Sequence, residues 1–102
     1  MHRHVDERLC QAVRVLAMSD RPLQERLKGA ALTLAPLLPK DFLDADARRK
    51  FVGIMDDLTF DERKGADGRI AATVGGLSDD DARKIIDRIL DLRFWSLRTP
   101  AD

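Results

Sequence analysis

Apolar residues recur at intervals of three and four positions in four stretches of this chain, and this spacing restricts its fold more than any other feature. In the first stretch, Val5, Leu9 and Leu16 fall on one face of a helix. Equivalent faces recur in three later stretches, residues 23–34, 47–58 and 82–90. The chain has four Phe, one Trp and few β-branched residues, a composition that favours helices over strands. The sequence therefore predicts an all-α fold.

Helix-breaking and helix-capping residues separate these stretches. The break at residues 19–22 is short, and Pro36 ends the second helix, so the first two helices are expected to form an antiparallel αα-hairpin. Asp44 or Asp46 caps the third helix, and Ser78 begins a long C-terminal helix. Gly29 lies inside the second helix, where a missing side chain can admit a neighbouring helix.

The remaining segments are less regular. Residues 1–4 and 98–102 are expected to fray, and residues 59–69, with their charges and two glycines, are expected to form a mobile loop. Residues 69–75 fit either a short helix or a strand, and the helix is favoured because no partner strand is evident. The chain of 102 residues is thus predicted to be one domain, residues 1–102, a small bundle of four to five helices.

The C-terminal end of the last helix carries apolar residues on several sides. Leu92, Phe94, Trp95 and Leu97 point in different directions around the helix. Such an end must be covered either by its own domain or by a partner. Phe94 and Trp95 fit both alternatives, and aromatic residues are enriched in interfaces. These four residues are the candidate interface of a small protein–protein interaction or regulatory module, with a second copy as one possible partner.

Charge is balanced in total and asymmetric along the chain. Eighteen basic and eighteen acidic residues cancel, while residues 1–51 carry ten basic and seven acidic residues and residues 52–102 carry eight and eleven. This asymmetry could help two copies, or a partner, to pair. It falls short of the basic excess of a domain built on phosphate contacts. Within the last helix, Arg88 and Asp91 have the spacing of a local ion pair.

Nucleic-acid association is the alternative function, and it rests on two features. Residues 76–82, Gly76-Leu77-Ser78-Asp79-Asp80-Asp81-Ala82, followed by Ile85, resemble the helix-hairpin-helix DNA-binding element, which implies phosphate capture by backbone N–H groups near Gly76. Three aspartates stand where that element would face the phosphate, and they would repel it. The second feature is a basic cluster of Arg48, Arg49 and Lys50.

The sequence gives little support for catalysis, cofactors or metals. No phosphate loop, nucleophile elbow or zinc-protease motif is present. The side chains of the aspartate triplet at residues 79–81 diverge by about 100° from one to the next on a helix, so they do not converge on one ion. The single cysteine, Cys10, excludes an internal disulfide. No apolar run has the length of a membrane span, and we expect a soluble cytoplasmic protein without an enzymatic role.

Overall fold

The computed structural model describes residues 3–18, 20–60 and 66–98, and for residues 66–67 and 96–98 it describes the backbone alone. The described residues form five α-helices and one short 3₁₀ helix, without a strand. In chain order the elements are α1 (Arg3–Met18), α2 (Leu23–Leu34), the 3₁₀ helix (Pro39–Asp41), α3 (Ala45–Leu58), α4 (Ala66–Gly75) and α5 (Asp79–Arg98). The predicted all-α fold with a long C-terminal helix is confirmed.

The α1–α2 hairpin is held by close packing and by two side-chain contacts. Arg8 on α1 donates to the carbonyl of Thr33 at 3.4 Å, and Arg26 on α2 donates to the carbonyl of Leu16 at 3.4 Å. Residues early in α1 thus lie beside residues late in α2, which makes the two helices antiparallel. A Cβ added at Gly29 would lie 2.9 Å from Cγ1 of Val15, so the missing side chain permits the close approach.

The core lies between α2 and α5, which contact most of the other helices. Helix α2 packs against α1, α4 and α5, and α5 packs against α1, α2 and α3. No polar or charged side chain is buried among the described residues. The largest fully buried side chains are Phe42, Leu9, Leu27, Leu34, Ile54, Leu58, Ile70, Ile89, Leu92, Val5 and Val74.

Several predicted boundaries are corrected by the structure. Residues 66–69, predicted to belong to a loop, form the first turn of α4, and residues 70–74 are helical. Ile70 and Val74 are both buried one turn apart, so packing on the core stabilises a helix that its glycines would weaken. Arg3 and His4, predicted to fray, are helical, since the adjoining Val5 is fully buried. Arg98, also predicted to fray, is the last residue of α5. Residues 1–2, 61–65 and 99–102 lie outside the described residues.

We expect Gly29→Ala to destabilise the protein, although alanine favours helices. The gain in helix propensity is about 1 kcal/mol, whereas overpacking against the stiff Val15 side chain costs about 1–3 kcal/mol. The net free energy of unfolding should therefore fall by about 1 kcal/mol. In a Val15→Ala background the crowding is absent, and the same substitution should raise the free energy of unfolding by about 1 kcal/mol. Urea unfolding of the four proteins checks this reversal, and stabilisation by Gly29→Ala in both backgrounds would contradict it.

Candidate interaction surface

The C-terminal half of α5 divides the predicted interface residues between the core and the surface. Leu92 has no exposed surface and belongs to the core, so it is not available to a partner without unfolding. Phe94, two positions further on, is 64% exposed. The side chain of Leu97 lies outside the described residues. Of the two side chains that are described, Phe94 lies at the surface and Leu92 in the core.

Trp95 lies between these two cases. It is half-buried and packs against the core, and its indole Nε1 donates to Oδ2 of Asp44 at 2.9 Å. The Nζ of Lys50 lies 5.5 Å from the centre of its ring, a distance that allows a cation–π interaction. These contacts fasten the end of α5 to the beginning of α3. Trp95 thus packs against residues of its own chain.

Leu90, the last residue of the apolar stripe at residues 82–90, is a surface residue. It is 42% exposed and precedes Phe94 by one helical turn. Ile86, one turn earlier, is half-buried and packs against the core. We call Leu90 and Phe94 the α5 patch. Their four-residue spacing in the sequence indicates that they share one face of the helix. Whether that face is buried depends on where the neighbouring helices lie, which the sequence pattern does not give.

An ion pair fixes the border of the α5 patch on the side of α1. Arg93 donates to Oδ1 of Asp6 on α1 at 2.5 Å, and the Arg93 side chain is 18% exposed. On the opposite side of α5, Lys50 pairs with Asp91 at 3.2 Å and Arg88 pairs with Asp57 at 2.5 Å. The local pair predicted between Arg88 and Asp91 is replaced by these contacts to α3. Ion pairs thus connect both flanks of α5 to neighbouring helices, and they hold the helix that carries the α5 patch in place.

Asp44 links the cap of α3 to the end of α5. Its Oδ2 accepts the backbone N–H of Ala47 at 2.9 Å and the indole N–H of Trp95. The Ala47 hydrogen bond, followed by the Trp95 hydrogen bond, lowers the pKa of Asp44 below its ordinary value of 3.8; desolvation opposes the shift, and Arg49 and Arg48 add to it. The carboxylate therefore serves as a structural acceptor for two helices.

The basic cluster predicted as a nucleic-acid contact has partners within the fold. Arg48 donates from Nε and Nη2 to the carbonyl of Phe42, at 3.2 and 2.7 Å, and thereby fixes the segment before α3. Arg49 pairs with Asp46, and Lys50 with Asp91. A bound phosphate would have to compete with these contacts.

The turn before α5 also uses donors that a helix-hairpin-helix element would offer to DNA. The N–H of Gly76 donates to the carbonyl of Thr73 at 3.2 Å, and the N–H of Leu77 to that of Val74 at 3.1 Å. Ser78 caps α5 by accepting the N–H of Asp81 at 3.1 Å. The aspartates at 79–81 are all exposed, so the turn presents negative charge to solvent. This geometry favours helix capping over phosphate capture.

The described residues contain neither a metal cluster nor a membrane-spanning helix. No group of three or more His, Cys, Asp or Glu side chains there is placed to hold a metal ion. Within the same residues, no helix combines the length and the apolar character that crossing a bilayer requires.

Comparison of the chain with protein-family models, with curated proteins and with solved structures found no match.

Alanine substitutions of Leu92 and Phe94 should have different effects on stability, because one side chain lies in the core and the other at the surface. We expect Leu92→Ala to lower the free energy of unfolding by about 2–5 kcal/mol, because it removes a fully buried side chain. Phe94→Ala should change it by less than about 0.5 kcal/mol, since that side chain is largely exposed. Urea unfolding measures both values, and equal destabilisation by the two substitutions would place Phe94 in the core.

The stabilisation that Asp44 provides should depend on pH. Because the pKa of Asp44 is lowered by folding, its contribution is present above the ordinary pKa and is lost as pH falls through the lowered value. We expect Asp44→Ala to be less stable than the wild type at about pH 7, with a difference that shrinks below about pH 4. Urea unfolding across this range tests the expectation. Asp46→Ala is the matched control, because it removes a carboxylate from the same turn without a contact to Trp95. A stability difference between Asp44→Ala and the wild type that stays constant down to about pH 2 would contradict the expectation.

Proposed function

We propose that the chain is a small helical protein-interaction module without catalytic activity, and that the α5 patch is its binding surface. The observation that carries this proposal is the exposure of Phe94 and Leu90 one turn apart on a helix whose opposite face is buried. When a partner covers a large aromatic side chain that was exposed to water, the burial of its apolar surface favours binding.

The position of the patch distinguishes it from the other exposed apolar side chains. Met18 ends α1, Phe60 follows the end of α3, and Leu38 and Leu43 flank the 3₁₀ helix, so each of them stands apart on a helix end or a connector. Single exposed apolar residues of that kind are common on protein surfaces. The two residues of the α5 patch continue into half-buried Ile86 and form a stripe along one helix. A stripe of this kind is suited to pack against an apolar face of another protein.

The partner is either a second copy of the chain or another protein. A stable interface covers about 800 Å² on each partner, which is more than two side chains provide. Residues of α1 beside the Arg93–Asp6 ion pair would therefore belong to the contact as well. The charge asymmetry between the two halves of the chain supports pairing with a second copy, since opposite charges favour association.

Phe94→Ser provides the test. Sedimentation equilibrium at increasing concentration should show self-association of the wild-type chain, and the substitution should weaken it at least tenfold, because aromatic residues dominate interface energies. Met18→Ser is the matched control, since it replaces an exposed apolar side chain at the end of α1 remote from Asp6 and should leave association unchanged.

A wild-type chain that remains monomeric at high micromolar concentration would exclude the second copy as partner. The proposal then requires a protein that the wild-type chain captures from its source cells and the Phe94→Ser chain does not. Absence of both self-association and Phe94-dependent capture would overturn it.

A further inference from the structure

Helices α1 and α5 lie side by side and run in opposite directions. The start of α5 lies near the start of α2, where Gln24 donates to Oδ1 of Asp79 at 2.7 Å, and the end of α1 directly precedes α2 in the chain. At the other end of the pair, Arg93 late in α5 pairs with Asp6 early in α1. The sides that the two helices turn to solvent therefore adjoin each other.

Apolar side chains of both helices contribute to this common surface. Positions four and seven residues after Asp6 share its side of α1, and positions three and seven residues before Arg93 share its side of α5. Phe94 follows one turn after Leu90. We call these side chains, which are half-buried or exposed, the α1–α5 face: Cys10, Val13, Ile86, Leu90 and Phe94. The α1 residues add contact area to the α5 patch, and a stable interface covers about 800 Å² on each partner.

Two opposite charges stand at one end of the α1–α5 face. Arg14 on α1 and Asp87 on α5 are exposed, and neither side chain has a hydrogen-bond or ion-pair partner among the described residues. Arg14 lies eight residues, about 12 Å, from Asp6, and Asp87 lies six residues, about 9 Å, from Arg93. Because Asp6 and Arg93 are paired, Arg14 and Asp87 occupy nearly the same position along the two helices.

We propose that a second copy of the chain covers the α1–α5 face, related to the first by a two-fold axis parallel to α1 and α5. The inference rests on the proposed function and specifies its partner. Such an axis places α5 of each copy on α1 of the other at the same position along the helices. Asp87 of each copy then faces Arg14 of the other, in two equivalent contacts at the edge of the apolar face. Met18 lies one turn beyond Arg14, outside this contact.

The other two-fold arrangement, with the axis across the helices, does not use these charges. It would pack α5 against α5 and α1 against α1 in antiparallel pairs. Asp87 would then meet only α5 of the second copy, and Arg14 only α1. Opposite charges across an interface favour association and fix its register. The positions of Arg14 and Asp87 therefore favour the axis parallel to the helices.

Charge reversal at the two positions tests the arrangement by sedimentation equilibrium at about 50 mM salt, where screening is weak. Arg14→Glu and Asp87→Lys should each weaken self-association about tenfold or more, because each substitution makes both contacts repulsive. An equimolar mixture of the two variants should associate within about threefold of the wild type, since only the mixed dimer pairs opposite charges at both contacts. Native mass spectrometry should identify that mixed dimer by its mass.

Two substitutions elsewhere on the surface control for net charge. Asp56→Lys on α3 and Lys40→Glu on the 3₁₀ helix replace exposed residues away from the α1–α5 face, and both variants should associate as the wild type does. A mixture of Arg14→Glu with Asp56→Lys has the same opposite net charges as the first mixture. It should not restore wild-type affinity to the Arg14→Glu chain, because one contact of the mixed dimer stays repulsive. Circular dichroism verifies the fold of each variant.

The outcomes separate this arrangement from the proposed function. Association that Phe94→Ser weakens but that the first mixture does not restore would overturn the arrangement and support the α5 patch as a binding surface. A wild-type chain that remains monomeric would also overturn the arrangement, and Phe94-dependent capture of another protein would then support the proposed function. Equal weakening by Asp56→Lys and Asp87→Lys would reduce the effect to net charge and overturn the arrangement.

Discussion

Burial of one face of α5 against three other helices is the contact on which the structure depends. Ile89 and Leu92 are fully buried there, and α5 meets α1, α2 and α3 through this face. Each such side chain contributes about 1.5–3 kcal/mol, against a net stability of about 5–15 kcal/mol for a domain. Helix α5 therefore cannot leave the bundle while the protein is folded. Both of its solvent-facing flanks are held in place as a consequence.

Fixing α5 gives neighbouring residues of one apolar segment different roles. Phe94 and Trp95 are adjacent, yet their side chains leave the helix about 100° apart. The indole N–H of Trp95 finds the carboxylate of Asp44, and the phenyl ring of Phe94 remains in solvent. Since the supporting helix is tied by ion pairs on both sides, little conformational entropy would be lost when a partner covers the ring. This rigidity supports an interaction role better than exposure alone would.

Three ion pairs among the described residues join different helices. Lys50 and Arg88 connect α3 to α5, and Arg93 connects α5 to α1. The seam between α3 and α5 consequently holds ion pairs between residues that are distant in the sequence. The turn at Gly76 has the opposite character, because its N–H groups are engaged and three exposed aspartates follow it. The sequence resemblance to a DNA-binding hairpin therefore does not extend to the charge of the turn.

The sequence by itself determined the helices, most of their ends and the close contact at Gly29, because periodicity, caps and missing side chains act locally. Ser78 caps α5 as its position indicated, and of the two candidate caps of α3, Asp44 and Asp46, Asp44 accepts the capping hydrogen bond. The sequence did not determine which side of the apolar end of α5 is buried: it placed Leu90 in the apolar stripe and Leu92 among the candidate interface residues. Apolar residues surround this end of the helix, so the positions of α1 and α3 decide which ones are covered. The same holds for Arg88, whose partner on α3 is 31 residues away. Only the tertiary structure brings such residues together, since contacts between helices depend on their relative orientation and not on spacing along the chain.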